Sequence, residues 1–276
     1  METKVIKIYV EDNYFQHLEV LKTNRIKRHK AGEFIVEGVR NINEAIKNKW
    51  EIEAFIYSRE KTLSDWAYDT LENVPVETHF ELPNVLMSKL SGKEVTSEII
   101  AVVTMPEDDL DRIKINDDMI VVVFDRPTNK GNLGTTIRSC DALGTQGLII
   151  TGHAVDLYDP ETVGASMGSF FRVPAVTIAS FTMLTGWIET LKFKMPNLQI
   201  IGTSAHATIN IDDCDFTKPT ILLIGNETEG LSQNYKEISD ILVKIPMSEE
   251  SSATSLNVAC AASICFYEIN RQRKRK

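Results

Sequence analysis

The residue types best suited to chemistry fall in three short segments of the C-terminal half of the chain. They are a permanent cation, an acid, two amides and a hydroxyl: Arg138, Glu227, Asn132, Asn257 and Ser255. An arginine offers a planar fork of donors that fits a phosphate, and it can stabilise an oxygen that gains negative charge. Each residue also has an ordinary structural use, such as a helix cap, a turn or a salt bridge. Residue types alone therefore favour a structural role, with chemistry beside a phosphate as the alternative.

A strand followed by a turn between two glycines positions the acid. Residues 221–224 are four consecutive large apolar residues, which predicts a strand buried on both faces of a parallel sheet. The turn runs from Gly225 to Gly230 and contains Glu227. No Lys-Ser or Lys-Thr follows Gly230, so this turn is not a nucleotide P-loop. Ligands of open α/β sheets bind where strand ends meet, so we expect a binding site at this turn.

Three stretches, in this order, resemble the signature motifs of the SpoU/TrmH methyltransferases. They are NLGTTIR from Asn132, GNETEGL from Gly225, and IPM from Ile245 together with SLNVA from Ser255. The resemblance covers residues 119–276. It implies a knotted α/β (SPOUT) domain with a parallel sheet, S-adenosyl-L-methionine as methyl donor, and methylation of a ribose 2′-hydroxyl in tRNA or rRNA. Composition and periodicity alone do not indicate a knot, because true knots are rare in protein chains.

The resemblance also implies roles for individual residues. Arg138 matches the arginine that activates the ribose hydroxyl, and Asn132, Glu227, Ser255 and Asn257 match other positions of the catalytic centre. Backbone groups at strand ends would hold most of the donor. The predicted donor-binding residues are Thr203, Ser204, Ala205, Gly225, Asn226, Gly230, Ile245, Met247 and Leu256. No metal site is predicted, and neither the choice of tRNA or rRNA nor the nucleotide follows from the motifs.

The loop before the last helix departs from the family pattern. Residues 248–254 form a slightly longer loop without the usual glycine, and Glu249 and Glu250 make it acidic. We expect this loop to be mobile without a ligand and to become ordered when donor or RNA binds, which would make the affinity for the donor alone modest. Ser255 is then the predicted N-cap of the following helix. The alternative is a longer helix that is capped within residues 251–252.

The first hundred residues alternate between strand and helix patterns, which predicts a small α/β domain. The stretch EFIVEGVRNINEAI, from residue 33, resembles the start of the L30e-like substrate-binding domain that precedes many SpoU/TrmH domains. Residues 107–118 are charged and lack apolar patterning, which is typical of a linker. We therefore predict an L30e-like RNA-binding domain over residues 1–106, this linker, and the methyltransferase domain over residues 119–276.

Hydrophobic periodicity places the motifs on specific elements. The N-terminal pattern predicts one helix over residues 13–28. In the C-terminal half, the patterns predict a strand at 119–124, a loop up to Asn132, a helix at 133–143, an edge strand at 171–174 and a strand at 199–203.

The basic residues are clustered although the net charge is −9 and the isoelectric point is about 5.2. An acidic chain can still bind RNA where its cations are concentrated. The predicted RNA-binding residues are Lys22, Arg25, Lys27, Arg28 and Lys30. A second basic cluster fills residues 271–276, and for it a solvated tail is the alternative.

The bulk properties indicate a cytoplasmic protein. No apolar run approaches the roughly 20 residues of a membrane helix, and no signal peptide is predicted. The four cysteines show no metal-ligand spacing. The family resemblance further implies a homodimer through the C-terminal domain, in which the last helix would contribute Val258, Ala261, Ile264 and Cys265. Two other hypotheses stay open, namely an RNA-binding module without catalysis and an enzyme of the same chemistry that confers drug resistance.

Overall fold

The computed structural model describes residues 3–274, which form two compact units. The first unit comprises Met1–Glu107 and Tyr158–Phe171, and the second comprises Asp108–Leu157 and Arg172–Lys276. The first boundary falls at the start of the predicted linker. The segment Tyr158–Phe171, however, belongs to the first unit, although the sequence predicts one continuous C-terminal domain.

The first unit is built on a five-stranded sheet in the order β1-β4-β3-β5-β2. Strand β5 is antiparallel to β3 and β2, and the other pairs are parallel. The strands are β1 Lys4–Lys7, β2 Glu33–Glu37, β3 Ile52–Tyr57, β4 Thr78–Glu81 and β5 Ile99–Thr104. The helices are α1 Asn13–Thr23, α2 Arg25–Ala31, α3 Val39–Lys47, α4 Asp65–Asn73, α5 Asn84–Ser91 and, from the later segment, α7 Pro160–Ala165. The sequence patterns missed β1.

The predicted single helix over residues 13–28 is wrong, because the chain breaks at Asn24. Asn24 has an extended backbone and caps α2, where its side chain accepts a hydrogen bond from the Lys27 amide at 3.0 Å. Ile26, an apolar residue within the predicted helix, is 78% exposed. An asparagine that caps the next helix competes with helix continuation, and the apolar spacing alone does not reveal this.

The second unit is a seven-stranded sheet in which all pairs are parallel, in the order β10-β12-β9-β11-β6-β7-β8. The strands are β6 Ile120–Asp125, β7 Gly147–Thr151, β8 Ala175–Ile178, β9 Gln199–Thr203, β10 Ile209–Asn210, β11 Thr220–Ile224 and β12 Ile241–Lys244. The helices are α6 Lys130–Leu143, α8 Phe181–Lys194, α9 Gln233–Ile238 and α10 Val258–Arg273. The predicted parallel-sheet α/β class is confirmed.

The central strands β6 and β11 are buried along their whole length. This agrees with their continuous apolar sequences, because a strand covered on both faces needs no polar alternation. From β6 the chain continues to β7 and β8 on one side, whereas β9 and β11 lie on the other side. The order thus reverses between β6 and β11, and ligands of such sheets bind outside the carboxyl ends of the strands near a reversal of this kind.

The predicted edge strand at residues 171–174 is wrong. A short 3-10 turn occupies Ser169–Phe171, and the edge strand β8 starts only at Ala175. Pro174 has no N–H for a ladder bond, although its carbonyl accepts from the Leu148 amide at 2.9 Å.

No helix among residues 3–274 combines the length and apolar content that crossing a membrane requires.

Candidate active site

A cleft of about 370 Å³ lies in the second unit, at the carboxyl ends of β9, β11 and β12 and beside the start of α10. This volume is in the range of small-molecule sites. The cleft is lined by all nine predicted donor-binding residues: Thr203, Ser204, Ala205, Gly225, Asn226, Gly230, Ile245, Met247 and Leu256. The structure therefore brings together residues at or after the ends of three different strands and one that precedes α10, while their contact with a donor stays a prediction.

The turn after β11 is a short hairpin with internal hydrogen bonds. Asn226 and Gly230 exchange backbone hydrogen bonds of 3.1 and 3.0 Å. The Asn226 side-chain oxygen accepts from the amides of Thr228 and Glu229 at 2.8 and 3.1 Å. A Cβ on Gly225 would lie 2.0 Å from the Leu231 nitrogen, so only glycine fits there. Glycine at position 225 and the hydrogen bonds of Asn226 thus define the conformation of this hairpin, which lines the cleft.

Glu227 connects this hairpin to the loop between β6 and α6. One carboxylate oxygen accepts from the Thr128 amide at 2.9 Å and the Thr128 hydroxyl at 2.8 Å. The other accepts from the Asn129 amide at 3.1 Å and the Asn132 side-chain amide at 3.3 Å. The four donors leave little acceptor capacity, which favours Glu227 as a residue that holds the site together.

The hydrogen bonds also decide the charge state of Glu227. Burial alone would raise the pKa of this carboxyl, but the hydrogen bonds from Thr128 and Asn132 outweigh burial and lower the pKa. Hydrogen bonds to a charged form favour that form. Glu227 is therefore an anion at neutral pH, beside a cleft that would suit a cation.

Asn132 and Asn257 extend the network to α10. The Asn257 side-chain amide donates to the Asn132 side-chain oxygen at 3.1 Å. The Asn257 oxygen caps α10, accepting from the amides of Ala259 and Cys260 at 2.9 and 3.3 Å. The predicted cap at Ser255 is therefore wrong, as is the longer helix. Helix α6 likewise begins at Lys130, so Asn132 lies in its first turn and not in the preceding loop.

Arg138 lies apart from this network. It is six residues after Asn132 on α6, which turns it about 120° around the helix from Asn132. The side chain is exposed, does not line the cleft, and has no hydrogen bond or ion pair with residues 3–274. Within one chain the structure thus connects Glu227, Asn132 and Asn257, places Ser255 at the cleft, and leaves Arg138 facing solvent.

Sequence reasoning missed Thr128 and Asn129, which supply three of the four hydrogen bonds to Glu227. Asn129 also caps α6 through the Asn132 amide at 2.8 Å. A threonine and an asparagine directly before an apolar helix are a capping signal that could have indicated them. Their bond to a carboxylate about a hundred residues later has no local signal.

The predicted RNA-binding cluster in the first unit is only partly available. Arg25, Lys27 and Lys30 are exposed. Arg28 is 1% exposed, and its guanidinium donates to the Lys22 carbonyl at 2.9 Å and to the Leu21 carbonyl. This burial contradicts the predicted RNA contact of Arg28. Lys22 is half-buried and donates to the Leu90 carbonyl at 2.6 Å, and burial lowers its pKa.

The second basic cluster has a structural use where it is described. Arg271 pairs with Glu268 at 2.6 Å, and Arg273 donates to the carbonyls of Phe216 and Lys218 at 2.9 and 2.7 Å. These contacts fix the end of α10 to the second unit. Residues 275–276 of this cluster lie outside the described residues.

Of the four residues predicted for the dimer contact, burial contradicts Cys265 alone, and the contact itself stays a prediction. Val258, Ala261 and Cys265 line the cleft, and Cys265 is 2% exposed, with burial raising the pKa of its thiol to about 12. Ile264 is 39% exposed. It shares the outer face of α10 with Cys260 and Tyr267, which are also exposed: they occur at positions i, i+4 and i+7.

The chemistry of the cleft fits S-adenosyl-L-methionine. Small and apolar side chains, such as Leu256, Val258 and Ala262, offer a surface for an adenine ring, and strand-end backbone supplies polar groups. The carboxylates of Glu227 and Glu229 line the same cleft and would attract a sulfonium cation. Among residues 3–274, no group of histidine, cysteine, aspartate and glutamate side chains is arranged to hold a metal ion.

Two family models match the chain. The model of the SpoU rRNA Methylase family matches residues 119–267, and that of the SpoU L30e-like domain matches residues 12–101. The 23S rRNA (uridine(2479)-2′-O)-methyltransferase of Streptomyces viridochromogenes is 45% identical over 259 residues, which cover 94% of this chain and 90% of that protein. The 23S rRNA (guanosine(2553)-2′-O)-methyltransferase RlmP of Bacillus subtilis is 26% identical and covers 88% of this chain and 90% of that protein.

A solved structure is also similar. The crystal structure of the SpoU methyltransferase AviRb from Streptomyces viridochromogenes in complex with the cofactor AdoMet matches with a TM-score of 0.88 and 44% identity. The match covers 96% of this chain and 100% of that chain, so the similarity extends over both units.

Proposed function

This chain belongs to the SpoU rRNA methylase family and is a S-adenosyl-L-methionine-dependent RNA 2′-O-ribose methyltransferase, and from that premise we propose that its substrate is a uridine of 23S rRNA. The relative at 45% identity acts on a uridine of 23S rRNA and is similar over nearly the whole chain. Guanosine is the second candidate, because RlmP acts on a guanosine of 23S rRNA and is also similar to this chain, although its sequence identity is lower. The family, reaction and donor predicted from the three motifs are confirmed.

The observation that carries the proposed mechanism is the hydrogen-bonded chain from Glu227 through Asn132 to Asn257. It joins the cleft hairpin, the first turn of α6 and the cap of α10. When bound, S-adenosyl-L-methionine supplies an electrophilic methyl group. Reaction then requires that the ribose oxygen be held in line with that group, and displacements of about 1 Å can cost 10²-fold in rate. We assign Glu227, Asn132 and Asn257 to this positioning, and Ser255 to the mouth of the cleft.

We assign Arg138 to the RNA. A guanidinium without a partner among residues 3–274 is available to a phosphate, and beside the ribose it would stabilise the oxygen that loses its proton. Since Arg138 faces away from Asn132 in one chain, we propose that the protein acts as a homodimer in which Arg138 of one copy serves the cleft of the other. The exposed face of Cys260, Ile264 and Tyr267 on α10 is the proposed contact surface.

Mixing two inactive variants tests this arrangement. Arg138→Ala and Glu227→Ala protomers, exchanged at equal concentration, should regain up to about a quarter of wild-type activity, because half of the dimers are mixed and each keeps one complete site. Light scattering should give a dimer mass at micromolar concentration. A monomer mass, or no regained activity in a verified mixed dimer, would contradict the proposal.

We propose that Arg25, Lys27 and Lys30 of the first unit contact RNA phosphates. Each lost phosphate contact lowers the slope of log affinity against log salt by about 0.7–0.9. Lys27→Ala combined with Lys30→Ala should therefore weaken RNA binding and flatten its salt dependence, while Lys61→Ala, another exposed lysine of this unit, is the matched control. Unchanged RNA affinity at low salt would show that these lysines are solvated surface residues that do not contact RNA.

The substrate is tested by methylating 23S rRNA in vitro and analysing its nucleosides by mass spectrometry. Our proposal predicts 2′-O-methyluridine at one position, and the second candidate predicts 2′-O-methylguanosine. A methyl group found only in tRNA would overturn both. We propose the cytoplasm as the location, since ribosomal RNA is present there and all four cysteines are free thiols.

A further inference from the structure

Arg126 has a backbone conformation that side chains rarely adopt. It follows the last residue of β6 and has a φ of +53°, in the left-handed region that favours glycine. Such conformations cost about 1–3 kcal/mol and persist only where the surroundings enforce them. Gly152 makes room for the stem, because a Cβ there would lie 2.6 Å from Arg126 Cγ. The fold therefore holds this side chain in a defined place.

The guanidinium joins the end of β6 to the cleft hairpin. Its Nε and Nη2 donate to the two carboxylate oxygens of Asp125 at 3.1 and 3.2 Å, and Asp125 is 2% exposed. Its Nη1 pairs with Glu229, and Nη2 also donates to the Gly230 carbonyl at 3.4 Å. A planar fork can satisfy several acceptors at once, which a lysine cannot do.

The backbone of Arg126 makes a further contact with the same hairpin. Its carbonyl accepts from the Asn226 side-chain nitrogen at 2.7 Å, and the side-chain oxygen of Asn226 shapes the hairpin by accepting from the amides of Thr228 and Glu229. Asp125 in turn accepts from the Ser232 amide just beyond the hairpin at 2.9 Å. Arg126 and Asp125 thus hold both ends of the turn that presents Glu227.

We propose that Arg126 is a positioning residue for methyl transfer. By tying the hairpin of residues 225–230 to β6, it keeps Glu227 aligned with Thr128 and Asn132 and keeps the donor cleft in its binding shape. The predicted effect of Arg126 on the rate of methyl transfer rests on the proposed function. The predicted effect of Arg126 on donor affinity does not depend on the RNA substrate. Arg126 touches neither reacting group in this account.

The test compares Arg126→Gly with Arg172→Gly. Glycine adopts the left-handed backbone freely, so the first variant removes the guanidinium without adding strain. Arg172 is 67% exposed and pairs with Asp141 at 3.2 Å, which makes it a matched ion-pair control in the same unit. Calorimetry with S-adenosyl-L-methionine, thermal unfolding and methyl-transfer rates are measured for both variants and the wild type.

We expect Arg126→Gly to raise the donor Kd roughly tenfold and to lower kcat by about 10²-fold. Millimolar methylguanidinium should restore part of both values, because it can occupy the space of the lost side chain. Arg172→Gly should bind the donor as the wild type does. Wild-type donor affinity in Arg126→Gly, or an equal loss in both variants without rescue, would overturn the proposal.

A second variant covers the case in which Arg126→Gly does not fold. Arg126→Lys keeps the charge and the stem, but a lysine cannot bridge Asp125 and Glu229 with one planar fork, so it loosens the hairpin at little risk to the fold. A donor Kd raised a few-fold supports the proposal, and an unchanged Kd contradicts it. Calorimetry with the donor needs no RNA. If the wild type binds the donor but methylates no RNA, the proposed substrate is refuted, and the comparison of donor affinities still tests the role of Arg126.

Discussion

The two walls of the donor cleft are held in different ways. The bonded wall, the hairpin of residues 225–230, is fixed by its own hydrogen bonds and by those of Glu227 to the start of α6. The open wall, residues 246–256, is exposed at every position, and the two hydrogen bonds that the described residues show there are local. They join the Ser251 amide to the Ser248 carbonyl at 3.0 Å and the Ala253 amide to the Ser251 hydroxyl at 3.1 Å.

This difference indicates a division of labour in the cleft. A wall with many internal bonds keeps its geometry when a ligand arrives, which is what in-line transfer requires. A wall with few bonds and high exposure has a low cost of opening, as in loops that close over substrates. We infer that the bonded wall aligns the reaction and that the open wall closes over the donor.

The largest effect on the rate of methyl transfer should come from Arg138, which belongs to neither wall. Arg138→Ala should lower methyl transfer by about 10³-fold, because a cation at the developing alkoxide is lost, while the donor Kd stays within a few-fold. Calorimetry and single-turnover rates measure the two effects. Lys194→Ala removes another exposed cation of the same unit and is the control. A variant with near-normal turnover would end the assignment of Arg138 to the RNA.

Removing one acid from each wall tests the contrast directly. Glu227→Gln should lower the free energy of unfolding by about 2 kcal/mol at pH 7, because the amide nitrogen cannot accept the bonds that the charged oxygens accept. Glu250→Gln, in the open wall, should leave it unchanged. Chemical denaturation measures both. Equal effects would contradict the distinction between the walls.

The contribution of Glu227 should depend on pH. Its pKa in the folded state is lowered, so the stabilisation is present above the ordinary value of 4.5 and is lost as the pH falls through the folded-state pKa. The difference in stability between wild type and Glu227→Gln should therefore be full between pH 6 and 8 and shrink in acid. A difference that grows in acid would show that Glu227 is not held as an anion.

A smaller effect on stability is expected at the start of α10, where Asn257 and Ser255 should differ. Asn257→Ala should cost about 1 kcal/mol of stability, because it removes a helix cap and the bond to Asn132. Ser255→Ala should cost nothing measurable, since Ser255 is exposed and does not cap the helix. Thermal unfolding of the pair decides between them. A larger loss of stability in Ser255→Ala than in Asn257→Ala would support Ser255 as the helix cap, as the sequence predicted.

The sequence predicted most of what depends on local signals. Continuous apolar runs indicated β6 and β11, and strand β9 has the predicted bounds of residues 199–203. The motifs also located the residues of the cleft, because parallel strands end at the same edge of the sheet. Hydrophobic periodicity was sufficient wherever burial alone determined the element.

The sequence could not predict what depends on distant contacts. Several residues before α10 could cap it, and the choice of Asn257 over Ser255 depends on Asn132, which lies 125 residues away. Arg28 looks like its basic neighbours in the sequence, yet the turn at Asn24 directs it into the first unit. The left-handed backbone of Arg126 likewise follows from the hairpin that it contacts, and no residue preference indicates it.

Hydrogen exchange of both walls in one experiment tests the account most directly. Backbone amides at residues 225–231 should exchange slowly in the free protein and with S-adenosyl-L-methionine. Amides at residues 248–254 should exchange fast in the free protein and become protected when the donor binds. Slow exchange at residues 248–254 without donor, or fast exchange at residues 225–231, would contradict a preformed wall facing one that closes.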